Sequence, residues 1–309
     1  MKTPAEANAC VIWRLLDGKP GHENQSLGLC RALKQLLPVK QLDITVASRG
    51  SHLLDGLLGR FPPGAALPSP ELIIGAGHAT HLALLAARRR YGGRALVLMK
   101  PSLPLRLFDL CIAPEHDRVS GANLFTTQGV LNTIQTSLPS GEGRSLILVG
   151  GVSNHYGWDD AKVLEQLHQV VSGMPDRCFT LTTSRRTPDS FLSTLREVGY
   201  ANLIRVPWQD TGPDWVARQL AVSDEVWVTE DSVSMVYEAL TAGGAVGLLQ
   251  LPVKRPGRVA RGITQLLEAG RLTSFTQWQA SGSLENQATP FNEARRCAKW
   301  IYERWLKSD

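Results

Sequence analysis

Several stretches of this chain gather glycines, hydroxyls, charges and imidazoles at spacings that could do chemistry. The first, at 17–25, reads Asp-Gly-Lys-Pro-Gly-His-Glu-Asn-Gln. Glycines there permit close backbone approach, and Lys19, Gly21, Asn24 and Gln25 offer donors and acceptors to a ligand. His22 suits a general base, since a free imidazole has a pKa of about 6.5, and Glu23 adds a carboxylate beside it. Helix capping or plain solvation would also account for His22. The second stretch, at 75–81, reads Gly-Ala-Gly-His-Ala-Thr-His, and makes Gly77 and His78 binding candidates. His78 and His81 are spaced to share a metal, but no third ligand accompanies them and no metal is expected.

The second half carries three more such stretches. At 146–154 an apolar run empties into Gly150, Gly151, Ser153 and Asn154, whose amides could cradle a diphosphate. At 182–187, Ser184, Arg185 and Arg186 follow another apolar run, and guanidinium forks suit phosphate oxygens. At 229–249 the pattern is strand, polar turn, helix, glycine stop and strand. Asp231 and Ser232 are expected to cap that helix. Ser234 and Glu238 are four apart and share one of its faces, so a phosphate at the first turn and a ribose at the carboxylate would fit. An ordinary helix with a solvated Glu238 would read the same way. Neither a G-x-G-x-x-G fingerprint nor a Walker A loop is present.

Regular elements must hold these loops. Apolar strand candidates at 11–16, 41–47, 71–75, 95–99 and 110–113 alternate with helices at 26–37 and 79–90, the signature of a parallel sheet covered by helices. A Pro/Ser/Gly linker at 136–143 separates a second alternation. Its strands are expected at 145–149, Cys178–Thr182, 203–206, 226–229 and Ala245–Leu249, with helices at 159–171, 189–198, 215–221 and up to Ala242. An amphipathic helix closes the chain at 292–306. The reading is α/β: two Rossmann-like domains, 1–138 and 144–290, facing across a cleft, with 291–309 crossing back to the first. In open sheets of this kind ligands bind at the carboxyl ends of strands, where every stretch above falls, as do His116 and Asp117.

Composition narrows the classes. The chain has 309 residues, 43% hydrophobic and 20% charged, enough for two cores. It has no apolar run long enough to span a bilayer and no signal-like start, so a cytoplasmic protein is expected. The five cysteines form no C-x-x-C pair, which argues against a zinc site or disulfide framework. The formal charge of +5 favours an anionic partner, while nucleic-acid motifs are lacking and no nucleic acid is expected. Arg88, Arg89 and Arg90 serve a helix dipole.

The sequence resembles the mitochondrial fission ELM-type family along nearly its whole length. The likeness rests on 17–25, the Gly-Ala-Gly-His at 75–78, the Pro-Glu-His-Asp at 114–117, Gly150-Gly151, the Thr-Ser-Arg-Arg at 183–186 and the Thr-Glu-Asp-Ser-Val-Ser-Met at 229–235. More distantly, the second half is similar to GT-B glycosyltransferases such as MurG. That resemblance implies a nucleotide-diphosphate sugar, UDP- or GDP-linked, with Gly150, Gly151 and Ser153 in its loop, although Val152 intervenes. It sets Ser232 and Ser234 toward the diphosphate and Glu238 on the ribose. It implies metal-independent transfer to an acceptor, a lipid-linked one included, at the inner membrane surface. Two alternatives stay open: a non-catalytic scaffold on an anionic membrane, which the plant family name implies, and a nucleotide-sugar epimerase on the same fold.

Overall fold

A computed structural model describes residues 9–46, 60–137, 140–254, 257–287, 289 and 291–307. The N-terminal eight residues, Ala47 of the second expected strand and Leu138 and Pro139 of the expected linker lie outside them. The chain divides into two compact units, Met1–Thr133 with Asn292–Asp309, and Ile134–Phe291. Each is an α/β body on a six-stranded parallel sheet.

In the first unit the strands are β1 (Cys10–Leu16), β2 (Val39–Thr45), β3 (Leu72–Ala76), β4 (Arg94–Leu98), β5 (Leu110–Pro114) and β6 (Leu124–Thr127), in the order β2-β1-β3-β4-β5-β6. β3, β4 and β5 read as nearly continuous apolar runs because helices cover both faces of a parallel sheet. The helices are α1 (Pro20–Lys34) and α2 (His81–Tyr91). α1 starts at Pro20, which corrects the expected loop over 17–25 and helix from residue 26. Proline at the first helical position already has the required φ and lacks only an amide that the first turn leaves unbonded, so the helix begins there. The short β6 pairs in register with β5 and was not expected from sequence.

The closing helix, α9 (Glu293–Ile301), belongs to this first unit and runs on into a π turn at Tyr302–Leu306. Ala294, Cys297, Ala298 and Ile301 pack with Leu29, Cys30 and Leu33 of α1 in one core. Glu293 is nearly buried, accepting from the Gln128 amide at 2.9 Å and from Arg296 at 2.6 Å. Burial of Ile301 alone contributes about 2 kcal/mol.

The second unit holds β7 (Arg144–Leu148), α3 (Asp160–Gly173), β8 (Cys178–Thr182), α4 (Asp189–Glu197), β9 (Leu203–Val206), α5 (Trp215–Val222), β10 (Glu225–Thr229), α6 (Val233–Ala242), β11 (Ala245–Leu249), α7 (Arg258–Glu268), β12 (Thr273–Ser274) and α8 (Phe275–Ser281). Strand order is β12-β11-β10-β7-β8-β9. α7, β12 and α8 were not expected; α8 is announced by a capping box of Ser274 and Gln277. The described part of the expected linker is tied down. Asp224 accepts from the amides of Gly141 at 2.7 Å and Gly143 at 2.8 Å and from the Ser140 hydroxyl at 3.2 Å. Burial pushes Asp224 up, but those hydrogen bonds outweigh it and hold the carboxyl below its ordinary range.

Candidate functional site

In the first unit the sheet register builds the site. Leu15 pairs with Gly75, so two residues further on Asp17 and Gly77 leave the sheet side by side. Asp17 Oδ2 lies 2.8 Å from His22 Nδ1, and its side chain is 1% exposed against 18% for the imidazole. The other carboxylate oxygen accepts the Lys19 amide at 3.2 Å. Gly77 has φ +80, and a β-carbon there would collide with the His22 ring. A buried carboxylate thus orients an imidazole packed closely against Gly77, a base-and-orienter arrangement.

What holds the dyad was not expected. Arg14, 6% exposed on β1, pairs with Asp43 on β2, its register partner, and donates 3.0 Å to the carbonyl of Glu23 in the first turn of α1. Burial pushes Asp43 up, while hydrogen bonds from Arg14 and Gln41 more than reverse this and keep it below the ordinary carboxylate range. The Glu23 carboxylate, expected beside the base, accepts the Gly18 amide at 3.0 Å and closes the turn. Lys19 and Gly21 are exposed, Gln25 is buried, and Asn24 accepts from Thr133 at 3.0 Å. His78 is exposed, its ring edge-on to His81 at 5.5 Å. Asp17 was the candidate site residue missed. Its signal was position, one residue past the first strand, rather than any motif spacing.

In the second unit Leu148 pairs with both Thr182 and Val228, so the register aligns Gly150 with Ser184 on one side and Glu230 on the other. Gly150, Gly151, Ser184 and Arg186 do come together, but around a residue cast as a helix cap, Asp231. Its side chain is fully buried, accepting from the Gly151 amide at 3.0 Å and pairing with Arg186 Nη1 at 2.6 Å. The Gly150 amide donates to Thr229 Oγ1 at 2.8 Å, and the Gly150 carbonyl accepts from Ser184 Oγ at 2.8 Å and from Thr187. A β-carbon on Gly150 would strike the Asp231 carboxylate, and one on Gly151 the Arg186 carbonyl. The expectation that both amides stand open for a diphosphate is corrected: each already donates within the protein.

The cap expectation is corrected too. Ser232 is the N-cap of α6 but neither it nor Asp231 caps by side chain, because Asp231 turns back to the glycine loop. The first-turn amides of α6 are therefore left without a side-chain cap, the condition for anion binding. Ser232 is buried, Ser234 exposed and Glu238 half-buried on this helix. Arg185 is exposed, its guanidinium 5.7 Å from the Trp208 ring centroid. Ser153 Oγ accepts the Tyr156 amide at 3.0 Å, and Asn154 is exposed. Among the described residues no His, Cys, Asp and Glu cluster could hold a metal ion.

The profile of mitochondrial fission ELM1 proteins matches residues 20–305. The chain belongs to that family. An uncharacterised protein of Rickettsia prowazekii is 21% identical over 351 residues, covering 94% of this chain and 97% of its own. Among solved structures, a candidate UDP-N-acetylglucosamine 2-epimerase from Listeria monocytogenes superposes with TM-score 0.59 at 12% identity, covering 97% of this chain and 98% of that one. A glycosyltransferase from Rickettsia africae gives 0.52 at 10% identity, over 98% and 100%. The Methanocaldococcus jannaschii UDP-GlcNAc 2-epimerase, in complex with UDP-GlcNAc and UDP, gives 0.50 at 9% identity, over 95% and 99%. The ELM1 chain thus has the GT-B-type glycosyltransferase-like fold that the sequence implied, which these epimerases share. No helix among the described residues is long and apolar enough to cross a membrane.

Proposed function

We propose that this ELM1-family chain is a glycosyltransferase that takes a sugar from a nucleoside-diphosphate donor. The observation that carries the reading is the Asp17–His22 pair, a buried carboxylate holding an imidazole at 2.8 Å over the backbone of Gly77. Such a pair fixes the ring and stabilises it once it has accepted a proton, which is what activation of an acceptor hydroxyl demands. The donor side of the proposal falls on the second unit. There the uncapped first turn of α6 and the exposed Arg185 would meet the diphosphate, with Glu238 on the ribose. Gly150, Gly151 and Arg186 would shape that site through Asp231 rather than bind the phosphates directly. The charge on the leaving diphosphate would be met by these donors without a metal.

Calorimetry with UDP, GDP, CDP and ADP and their sugar conjugates tests the donor reading. Folded protein that binds none of them sinks it. Epimerisation is the second reading, favoured by the higher TM-score to the Listeria protein; it predicts conversion of a bound nucleotide sugar with no acceptor present. Liposome binding untouched by Glu238→Ala or by nucleotide would instead support a scaffold on an anionic membrane.

A further inference from the structure

Two adjacent carboxyls, Glu230 and Asp231, leave the carboxyl end of β10, an inner strand flanked by β11 and β7. Both are buried, at 8% and 9% exposure. Arg186, from the loop after β8, pairs with Asp231 and also holds the carbonyls of Gly151 and Val152. Tyr156, from the loop after β7, is buried, and its phenol is pushed above its ordinary value by burial and then by Glu230 and Asp231. Lys254, after β11, is exposed and places its ammonium 3.4 Å from the Ser153 carbonyl; His155 is exposed. Among the described residues one cation, Arg186, pairs with these two buried carboxyls, and it does so on Asp231.

Their partners tell them apart. Asp231 takes Arg186 and the Gly151 amide on Oδ2. Glu230 receives the Leu251 amide at 3.2 Å and, among the described residues, pairs with no cation. Asp231 Oδ1 is buried and accepts no hydrogen bond, so the cluster is also short of a proton donor. Bringing a diphosphate to the first turn of α6, which begins just beyond this pair, would add negative charge beside a site that, with Glu230 ionised, already carried an excess. A neutral carboxyl removes that repulsion and offers an O–H, in the manner of a buried acid kept protonated to donate.

We propose that Glu230 remains protonated when the second unit binds a nucleoside-diphosphate sugar and donates its O–H to a ligand oxygen. This rests on the nucleotide-sugar reading above. Burial pushes Glu230 up to about 7, with the Leu251 amide lowering it and Asp231 raising it, so at alkaline pH the proton is taken from solvent as ligand binds. No ligand bond breaks in the step.

UDP-GlcNAc is the probe, because its diphosphate is esterified at both ends and exchanges no proton near neutrality. Calorimetry at about pH 6 and about pH 8.5, in buffers of different ionisation heat, should show uptake rising from near zero to almost one proton. The Kd should weaken about tenfold per pH unit above about pH 7.5. Glu230→Gln, which cannot ionise, should bind with neither uptake nor pH dependence. Uptake that survives in Glu230→Gln, or wild-type binding without uptake at either pH, overturns the role of Glu230 while leaving the nucleotide-sugar reading intact. Failure of every nucleotide sugar to bind overturns both. Carboxyl 13C titration of the free wild-type protein, with Glu230→Gln assigning the resonance, needs no ligand: a midpoint near 7 is expected, and one near the ordinary 4.5 overturns the proposal.

Discussion

Gly77→Ala is the sharpest probe of the His22 site because the structure separates its cost into two parts. Gly77 sits at φ +80 and ψ 165, a region that L residues rarely occupy, and forcing alanine there costs about 1–3 kcal/mol. The new methyl would also collide with the His22 imidazole. The ring can leave only by giving up its 2.8 Å contact with Asp17, which caps the steric part at the about 1–3 kcal/mol of a buried, charge-assisted hydrogen bond. The total is about 2–6 kcal/mol. Gly18→Ala is the control: φ is +77, but nothing lies within 4 Å of the added carbon, so only the backbone part, about 1–2 kcal/mol, is expected. In His22→Ala/Gly77→Ala the collision is gone, and the double variant should recover about 1–3 kcal/mol relative to the sum of the singles. Urea unfolding followed by circular dichroism reads wild type, the three single variants and the double variant. If Gly77→Ala costs no more than Gly18→Ala, or the double variant simply adds, the packing of His22 on Gly77 is not as described.

Asp17→Asn and His22→Ala should each lower transfer turnover about 10²–10⁴-fold with nucleotide affinity unchanged, measured by single-turnover kinetics beside calorimetry. Arg14→Met should destabilise the first unit by about 2 kcal/mol, discounted because Asp43 is 38% exposed, and urea unfolding checks it. Glu230 has a folded pKa raised from 4.5 to about 7, so the folded state binds the extra proton and stability falls as pH rises through that window. Glu230→Gln should therefore match wild type near pH 4.5 and exceed it by about 3 kcal/mol at pH 8 in denaturant titrations. Asp224 runs the other way: its depressed pKa makes its contribution full above 3.8 and lost as pH falls through the lower folded value. Asp224→Asn should flatten the acid limb of unfolding in the second unit.

The strands were legible because a parallel sheet buried on both faces needs short continuous apolar runs, and β3, β5 and β11 have them. β12 was not, since two residues leave no pattern, and the register of β6 depends on β5 already being in place. The glycine and arginine loops were legible as places. Their bonding was not: Arg186 was read as a phosphate ligand, and Asp231 as a cap, from residue types that serve either use.

By itself the sequence determined the α/β class, the two alternating halves, the closing helix and the loops that could carry chemistry, because periodicity and residue type are local properties. Only the tertiary structure decided which side chains meet. Asp17 finds His22 because Pro20 starts a helix that turns the imidazole back, and Gly77 lies beneath it because β1 and β3 are paired neighbours. Asp231 takes Arg186 and the Gly151 amide because three strands adjacent in the sheet are far apart in the chain. Hydrogen bonding and desolvation act over a few ångströms of space, and sequence order does not encode that distance.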